Sequence, residues 1–203
     1  MITIIRNTPR EDAGHHVVKK LEKTSRSFKR RGSLGFWLQL VFTIVSAVIL
    51  SFSKIVTGNI SSPVTFFATA IGIAAAFLST FWSYGYIRLS AGLRKAVNDP
   101  SKHAYFFQAP PFSNVIQSLK NGICLNLLGM GAAIIGMQAT LGMLVAKALT
   151  ASGNPYYRSG GSPVLALDIF LVQASANIIL SHFLGLLYSL ELLRDVTLPL
   201  SEV

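Results

Sequence analysis

The stretch that decides the fold is PVLALDIFLVQASANIILSHFLGLLYSLELL, residues 163–193. At about 1.5 Å per residue, a helix of this length exceeds the roughly 30 Å thickness of a hydrocarbon core. Three further apolar stretches lie at residues 35–56, 63–89 and 119–148. Charged residues make up 13% of the 203-residue chain, about half the usual share. We therefore predict an all-α integral membrane bundle of four transmembrane helices.

Residues 1–34 form a basic arm with nine Lys and Arg. From Glu11 onward the arm can form a helix with Val17, Leu21 and Phe28 on one face, so we expect a basic amphipathic N-terminal helix on an anionic membrane surface. The residues predicted to contact lipid are Lys19, Lys20, Lys23, Arg26, Lys29, Arg30 and Arg31. The alternative is a solvated arm that only fixes topology. No aromatic interleaving accompanies these charges, so nucleic acid is not an expected partner.

Basic residues indicate how the chain lies in the membrane. The membrane domain is predicted to cover residues 35–195, followed by a short tail at 196–203. Four spans place both termini and the connection at 90–114 on one side of the membrane. Fifteen Lys and Arg belong to that side and three to the other. The positive-inside rule therefore predicts that both termini are cytoplasmic, or stromal in a plastid.

Polar side chains within the fourth span define two stripes. Asp168, Ser175 and His182 are spaced by seven residues and share one helical face. The neighbouring stripe consists of Gln173, Asn177, Ser181 and Gly185. Because polar groups are costly in lipid, both stripes are expected to face protein or water. Lys147 near the end of the third span is expected to pair with Asp168, and Glu191 with Arg194 at the helix end.

The intramembrane polar residues leave two interpretations open. The candidates for a transport path or for contacts between helices are Asp168, His182, Gln173, Asn177, Asn126 and Gln138. Asp168 and His182 would be about 21 Å apart along one helix, so they are either two stations on a path or two separate helix–helix bonds. The metal ligands remain unassigned.

Small residues and hydroxyls mark the faces expected to pack. In the first span, the spacing of Gln39, Thr43, Ser46 and Ser53 by four, three and seven residues predicts a face that contacts other helices. The small residues predicted to let helices approach closely are Gly72, Ala76, Gly122, Gly129 and Gly136. No nucleophile-elbow, nucleotide-binding or metalloprotease motif is present, and we predict neither an enzyme nor a cofactor.

Several long runs resemble one known family. They include ATAIGIAAAF at 68–77, FWSYGYIRLS at 81–90, LLGMGAAIIGMQAT at 127–140, SPVLALDIFLVQASAN at 162–177 and SHFLGLLYSLELLR at 181–194. On these runs the chain resembles the small four-span subunit of the chloroplast inner-envelope protein translocon, also described as the permease in chloroplasts. It is most similar to the cyanobacterial branch, and the resemblance covers roughly residues 20–197. The tails and the aromatic residues at 105–107 fall outside it.

The resemblance implies two functions. One is a permease for iron or a similar divalent metal ion; the alternative is a non-enzymatic subunit of a protein-import translocon or an assembly factor. If the chain is cyanobacterial, the permease is favoured, because a cyanobacterium has no plastid-type import. A route through four spans would require a homo-oligomer or partners in a membrane complex. The expected location is a cyanobacterial plasma or thylakoid membrane, or the plastid inner envelope if the chain is organellar.

Overall fold

The computed structural model describes residues 9–57, 63–98, 111–152 and 166–197, and all of the secondary structure there is α-helical. The helices are α1 (Pro9–Thr57), α2 (Pro63–Asn98), α3 (Pro111–Ser152) and α4 (Ala166–Thr197). Each contains a segment long and apolar enough to cross a membrane, which confirms the predicted four-helix membrane fold. The aromatic residues at 105–107 and the tail residues 198–203 lie outside the described residues.

Helix starts follow local sequence chemistry. Pro63 and Pro111 are the first residues of α2 and α3. Proline is suited to this position because the backbone N–H that it lacks would have no acceptor within the helix. Asp168 lies in the first turn of α4, where its negative charge is favourable beside the positive end of the helix dipole.

The helices are longer than the predicted spans at the end that carries the N-terminus of α1 and the C-terminus of α4. The predicted surface helix is not a separate element, because α1 continues without a break from Pro9 into the first span. Phe28, which was expected to lie on a lipid-facing side, is fully buried within the bundle. Residues 90–98, predicted as loop, continue α2.

Hydrogen bonds between helices show that the extended parts of α1, α2 and α4 lie at the same height in the bundle. Ser27 of α1 donates a hydrogen bond to the Asp195 carboxylate of α4, and Ser25 Oγ donates to the Ser90 carbonyl of α2 over 3.0 Å. The part of α1 around Ser27 therefore lies beside the C-terminal end of α4, as four spans require. We call this the basic end of the bundle.

Interfacial residues indicate where the bilayer lies. At the basic end, Trp37, Trp82 and Tyr84 are exposed, as expected of aromatic side chains at the headgroup level. At the far end, Lys54 is exposed on α1. Lys54 is seventeen residues after Trp37, which is about 26 Å of helix and close to the thickness of a hydrocarbon core.

The core has three layers. An apolar cluster at the basic end contains Phe28, Tyr86, Val115, Leu119, Leu192 and Val196. A second apolar cluster, toward the far end, contains Leu50, Ile73, Ala76, Ala133, Leu171 and Ile178. Between these clusters lies a layer of buried polar side chains. α4 packs closely against α1 and α3, whereas α2 and α3 share a smaller contact.

A buried polar layer as the candidate functional site

The central layer brings together side chains from all four helices. We call it the polar layer, and it consists of Gln39, Thr43, Ser79, Ser83, Asn126, Ser181 and His182, all buried. Gln39 and Thr43 come from the face of α1 that the sequence predicted to contact other helices. Ser46 and Ser53 of that face are also fully buried, so this prediction is confirmed.

Asn126 is the hub of the polar layer. Its Oδ1 accepts hydrogen bonds from Gln39 Nε2 at 3.1 Å and from Ser79 Oγ at 2.5 Å. Its Nδ2 donates to the carbonyl of Gly122 at 2.9 Å. The exposed fraction of the side chain is 1%, so these bonds provide the partners that an amide needs within a bilayer.

Gln39 connects the hub to the other helices. Its Nε2 also donates to Ser79 Oγ at 3.2 Å, and its Oε1 accepts from Ser83. Its backbone carbonyl accepts from Ser181 Oγ at 3.1 Å and from Thr43 Oγ1 at 2.8 Å. The amide of Gln39 and its carbonyl therefore bind α2, α3 and α4 at once.

His182 is held by one ring nitrogen. Its Nδ1 lies 3.3 Å from Asn126 Oδ1, and because that oxygen can only accept, Nδ1 must carry the proton. In the neutral ring Nε2 is then an acceptor, and it is buried without a hydrogen-bond partner among the described residues. The ring packs against Gly129, where an added Cβ would overlap it.

Asp168 lies far from this layer and has a different partner. Its two carboxylate oxygens are 2.9 and 3.2 Å from Lys147 Nζ, so the predicted pair is observed. The Asp168 side chain is 4% exposed and that of Lys147 is 29% exposed. Asp168 and His182 thus make two separate contacts between α4 and α3, which was one of the two interpretations left open.

The remaining predicted site residues do not join the layer. Gln138 and Gln173 are exposed and Asn177 is half-buried, and no described hydrogen bond links these three amides to it. The first predicted stripe of α4 is buried throughout, whereas the second is buried at Ser181 and Gly185 but not at Gln173. Glu191 is not placed as expected, because its carboxylate lies 3.3 Å from Arg31 of α1 rather than forming the helix-end pair with Arg194.

The predicted small residues divide into tight and open positions. Gly122 packs on the Tyr86 hydroxyl, and Gly72 lies 3.5 Å from Ile178 when a Cβ is added. Ala76 is fully buried. At Gly136 nothing lies within 4 Å of an added Cβ, so the expected close packing there is wrong within this bundle. Gly136 instead lines a crevice of about 100 Å³ between α2, α3 and α4.

Sequence reasoning did not single out Gln39, Ser79 or Ser83 as site residues. Gln39 carried a usable signal, because an amide in an otherwise apolar span has to find partners. Ser79 and Ser83 gave no such signal, because a serine in a span can hydrogen-bond the backbone of its own helix and needs no partner on another helix.

The Lys147–Asp168 pair makes a testable prediction. Asp168→Ala is expected to lower the free energy of unfolding by about 1–2 kcal/mol, because it leaves a half-buried ammonium without its carboxylate. The double variant with Lys147→Ala is expected to recover part of this loss. Thermal unfolding of the four proteins in detergent measures the coupling, and strictly additive effects would contradict the pair.

These features define a class: an integral membrane protein with four helices held together by a buried polar layer. The chain belongs to the family described as "Protein of unknown function (DUF3611)", whose model matches residues 18–197. It is 65% identical over 189 residues to "Protein TIC 21, chloroplastic" from Arabidopsis thaliana, which confirms the resemblance noted from the sequence. The match covers 92% of this chain and 62% of that relative, and no solved structure matches the chain.

Proposed function

We propose that the chain is a non-enzymatic subunit of a membrane protein complex, such as a translocon or an assembly complex. The observation that supports this most directly is how Asp168 is bound. The sequence hypothesis for a permease requires Asp168 to face a hydrated route, whereas the hypothesis for a subunit requires it to pair with Lys147. Its carboxylate is almost fully buried and bound by Lys147 through both oxygens.

The polar layer supports the same proposal. Asn126 and Gln39 bind side chains of the chain's own helices at short distances, so they stabilise the bundle and leave no oxygen directed at a passing ion. In the part of the chain that the structure describes, no three His, Cys, Asp or Glu side chains form a group that could hold a metal.

A surface suited to other spans is present on α2 and α3. The crevice of about 100 Å³ is lined mainly by small residues, among them Ala68, Gly72, Ala132 and Gly136. Small residues let helix backbones approach closely in lipid. The proposed subunit would receive a neighbouring transmembrane helix here.

A permease for iron or a similar divalent metal ion is the second candidate, and one observation favours it. His182 Nε2 is a buried acceptor without a hydrogen-bond partner in the described chain, and an imidazole nitrogen is a common ligand of iron and other transition metals. In this function His182 would be a station on the route, and neighbouring copies or partners would supply the other ligands.

Uptake of ferrous iron into proteoliposomes that contain the purified chain distinguishes the two functions. If the chain is a subunit, uptake is expected to equal that of empty liposomes. If it is a permease, the wild type takes up iron and His182→Ala loses that uptake, while Ile135→Ala, which truncates an exposed side chain of α3 that is not a candidate for the path, retains it. Uptake of the second pattern would overturn the subunit proposal.

Co-purification from native membranes provides an independent measurement. The subunit proposal predicts membrane proteins in stoichiometric amounts and their loss when Gly136→Leu fills the open crevice. A wild-type chain that purifies alone, or partners that stay bound to Gly136→Leu, would contradict a subunit that binds through this crevice.

A further inference from the structure

Basic residues at the basic end lie at two distinct distances from the membrane. The nearer set, which we call the collar, is level with or just outside Trp37, Trp82 and Tyr84; it comprises Lys29, Arg30, Arg31, Arg88, Lys120 and Arg194. The farther set, the distal patch, comprises Lys19, Lys23, Arg26, Arg94 and Lys95, all exposed.

The two helices that carry the distal patch are side by side. Ser25 Oγ donates to the Ser90 carbonyl at 3.0 Å, and the antiparallel chains then place Arg94 and Lys95 beside the residues of α1 near Lys19. The buried side chains of Phe28 and Leu93 support this part of the bundle from inside. The patch therefore lies on packed helices and not on a loose arm.

Distance separates the distal patch from the lipid headgroups. Arg94 is ten residues beyond Tyr84 along α2, which is about 15 Å of helix. Lys19 is eighteen residues before Trp37 on α1, or about 27 Å. At physiological ionic strength the Debye length is about 8 Å, so the lipid surface attracts these cations weakly. The predicted lipid contact would require Lys19 and Lys23 to lie near the headgroups, whereas the collar is the set of basic residues level with the interfacial aromatic side chains.

Among the side chains that the structure describes, few acidic groups lie near enough to neutralise the patch. Arg31 of the collar binds Glu191 and Asp195. In the distal patch, Glu22 is the one acidic side chain that the structure describes nearby, and it pairs with Arg26 at 2.5 Å. Excess positive charge therefore faces the aqueous phase.

We propose that the distal patch binds an acidic polypeptide segment of a partner that approaches from the aqueous side. This inference rests on the proposed function and gives the chemistry of one partner of the complex. Exposed positive charge is complementary to a run of Asp and Glu and would mainly speed association and select the partner. Phe28, the one aromatic residue of residues 19–33, is fully buried. The described part of the patch therefore presents no aromatic side chain on which bases could stack, and a polypeptide fits it better than a single-stranded nucleic acid.

The experiment uses the full chain in nanodiscs of zwitterionic lipid. The probe is a fluorescent peptide that contains twenty acidic residues, Asp and Glu in alternation, with a Ser between each pair. Fluorescence anisotropy measures its dissociation constant. A distal variant (Lys19→Gln, Lys23→Gln, Arg94→Gln, Lys95→Gln) is compared with a collar variant (Lys29→Gln, Arg30→Gln, Arg88→Gln, Lys120→Gln), which removes the same charge nearer the membrane. All eight positions are exposed, so both variants are expected to fold.

The proposal predicts binding to the wild type that weakens about tenfold in the distal variant and much less in the collar variant, and that falls as salt is raised. Equal effects of the two variants would overturn it, because general charge would then explain the binding. Abolition of binding in nanodiscs of anionic lipid would assign the patch to the membrane, and tighter binding of a single-stranded RNA of equal charge would assign it to nucleic acid. If peptide binding fails while membrane partners still co-purify, this inference falls and the proposed function stands.

Discussion

Gly185→Ala is expected to lower the free energy of unfolding by about 3 kcal/mol or more. A Cβ at this position would overlap Gln39 Nε2 and Asn126 Oδ1, the two atoms through which α1 and α3 are joined. Overpacking a well-filled core costs about 1–3 kcal/mol, and each buried group left without its hydrogen bond adds about 1–3 kcal/mol. In detergent, circular dichroism should record a melting temperature lower by about 6–12 °C.

Gly142→Ala is the matched control for this prediction. It makes the same change in the same kind of helix, but nothing lies within 4 Å of an added Cβ at that position. Because alanine is the better helix former, the control is expected to melt at the wild-type temperature or slightly above it. If the two variants melted alike, the close packing of Gly185 against the polar layer would be wrong.

Asn126→Leu is expected to destabilise the bundle by a similar amount, about 3 kcal/mol or more, although leucine is apolar and of similar size. The substitution removes the oxygen that accepts from Gln39, Ser79 and His182. It leaves buried donors unsatisfied, at about 1–3 kcal/mol each. Gln138→Leu, which replaces an exposed amide on the same helix, is expected to leave the melting temperature unchanged.

The double variant Gln39→Leu with Asn126→Leu tests whether the hydrogen bond itself is responsible. Removing both partners of a buried bond costs far less than removing one, so the double variant is expected to be more stable than the sum of the single effects predicts. The same melting experiment completes the cycle. Additive losses would indicate that the two amides act independently, contrary to the 3.1 Å contact between them.

Four spans could be predicted from the sequence because hydropathy and length alone require them. The lengths of the helices could not. Residues 19–31 and 88–95 carry exposed Lys and Arg that obscure the few buried residues between them, such as Phe28 and Leu93. Averaged over a window of sequence, the hydropathy of these segments is dominated by the exposed charges, so the predicted spans end at the membrane surface. In the structure, packing of the buried residues continues both helices beyond that surface.

The polar residues of the site could be predicted from the sequence, but not all of the contacts that they make. Periodicity correctly placed Asp168 and His182 on one buried face, and the pairing of Asp168 with Lys147 followed from equal depth. Asn126 was a candidate, but its contact with Gln39 was not foreseen, because a single sequence shows which face of a helix is polar and not which neighbour receives it.

The polar layer also fixes how far each helix can slide along its neighbours. The apolar clusters on either side would tolerate a shift of one turn, about 5.4 Å, because one apolar side chain can replace another. The amides of Gln39 and Asn126 cannot tolerate it, because a shift of that size would break the contacts that join them at 3.1 Å. The height of the bundle is therefore set by hydrogen bonds, and in a membrane of another thickness the bundle tilts as one unit or the lipid around it adjusts its thickness.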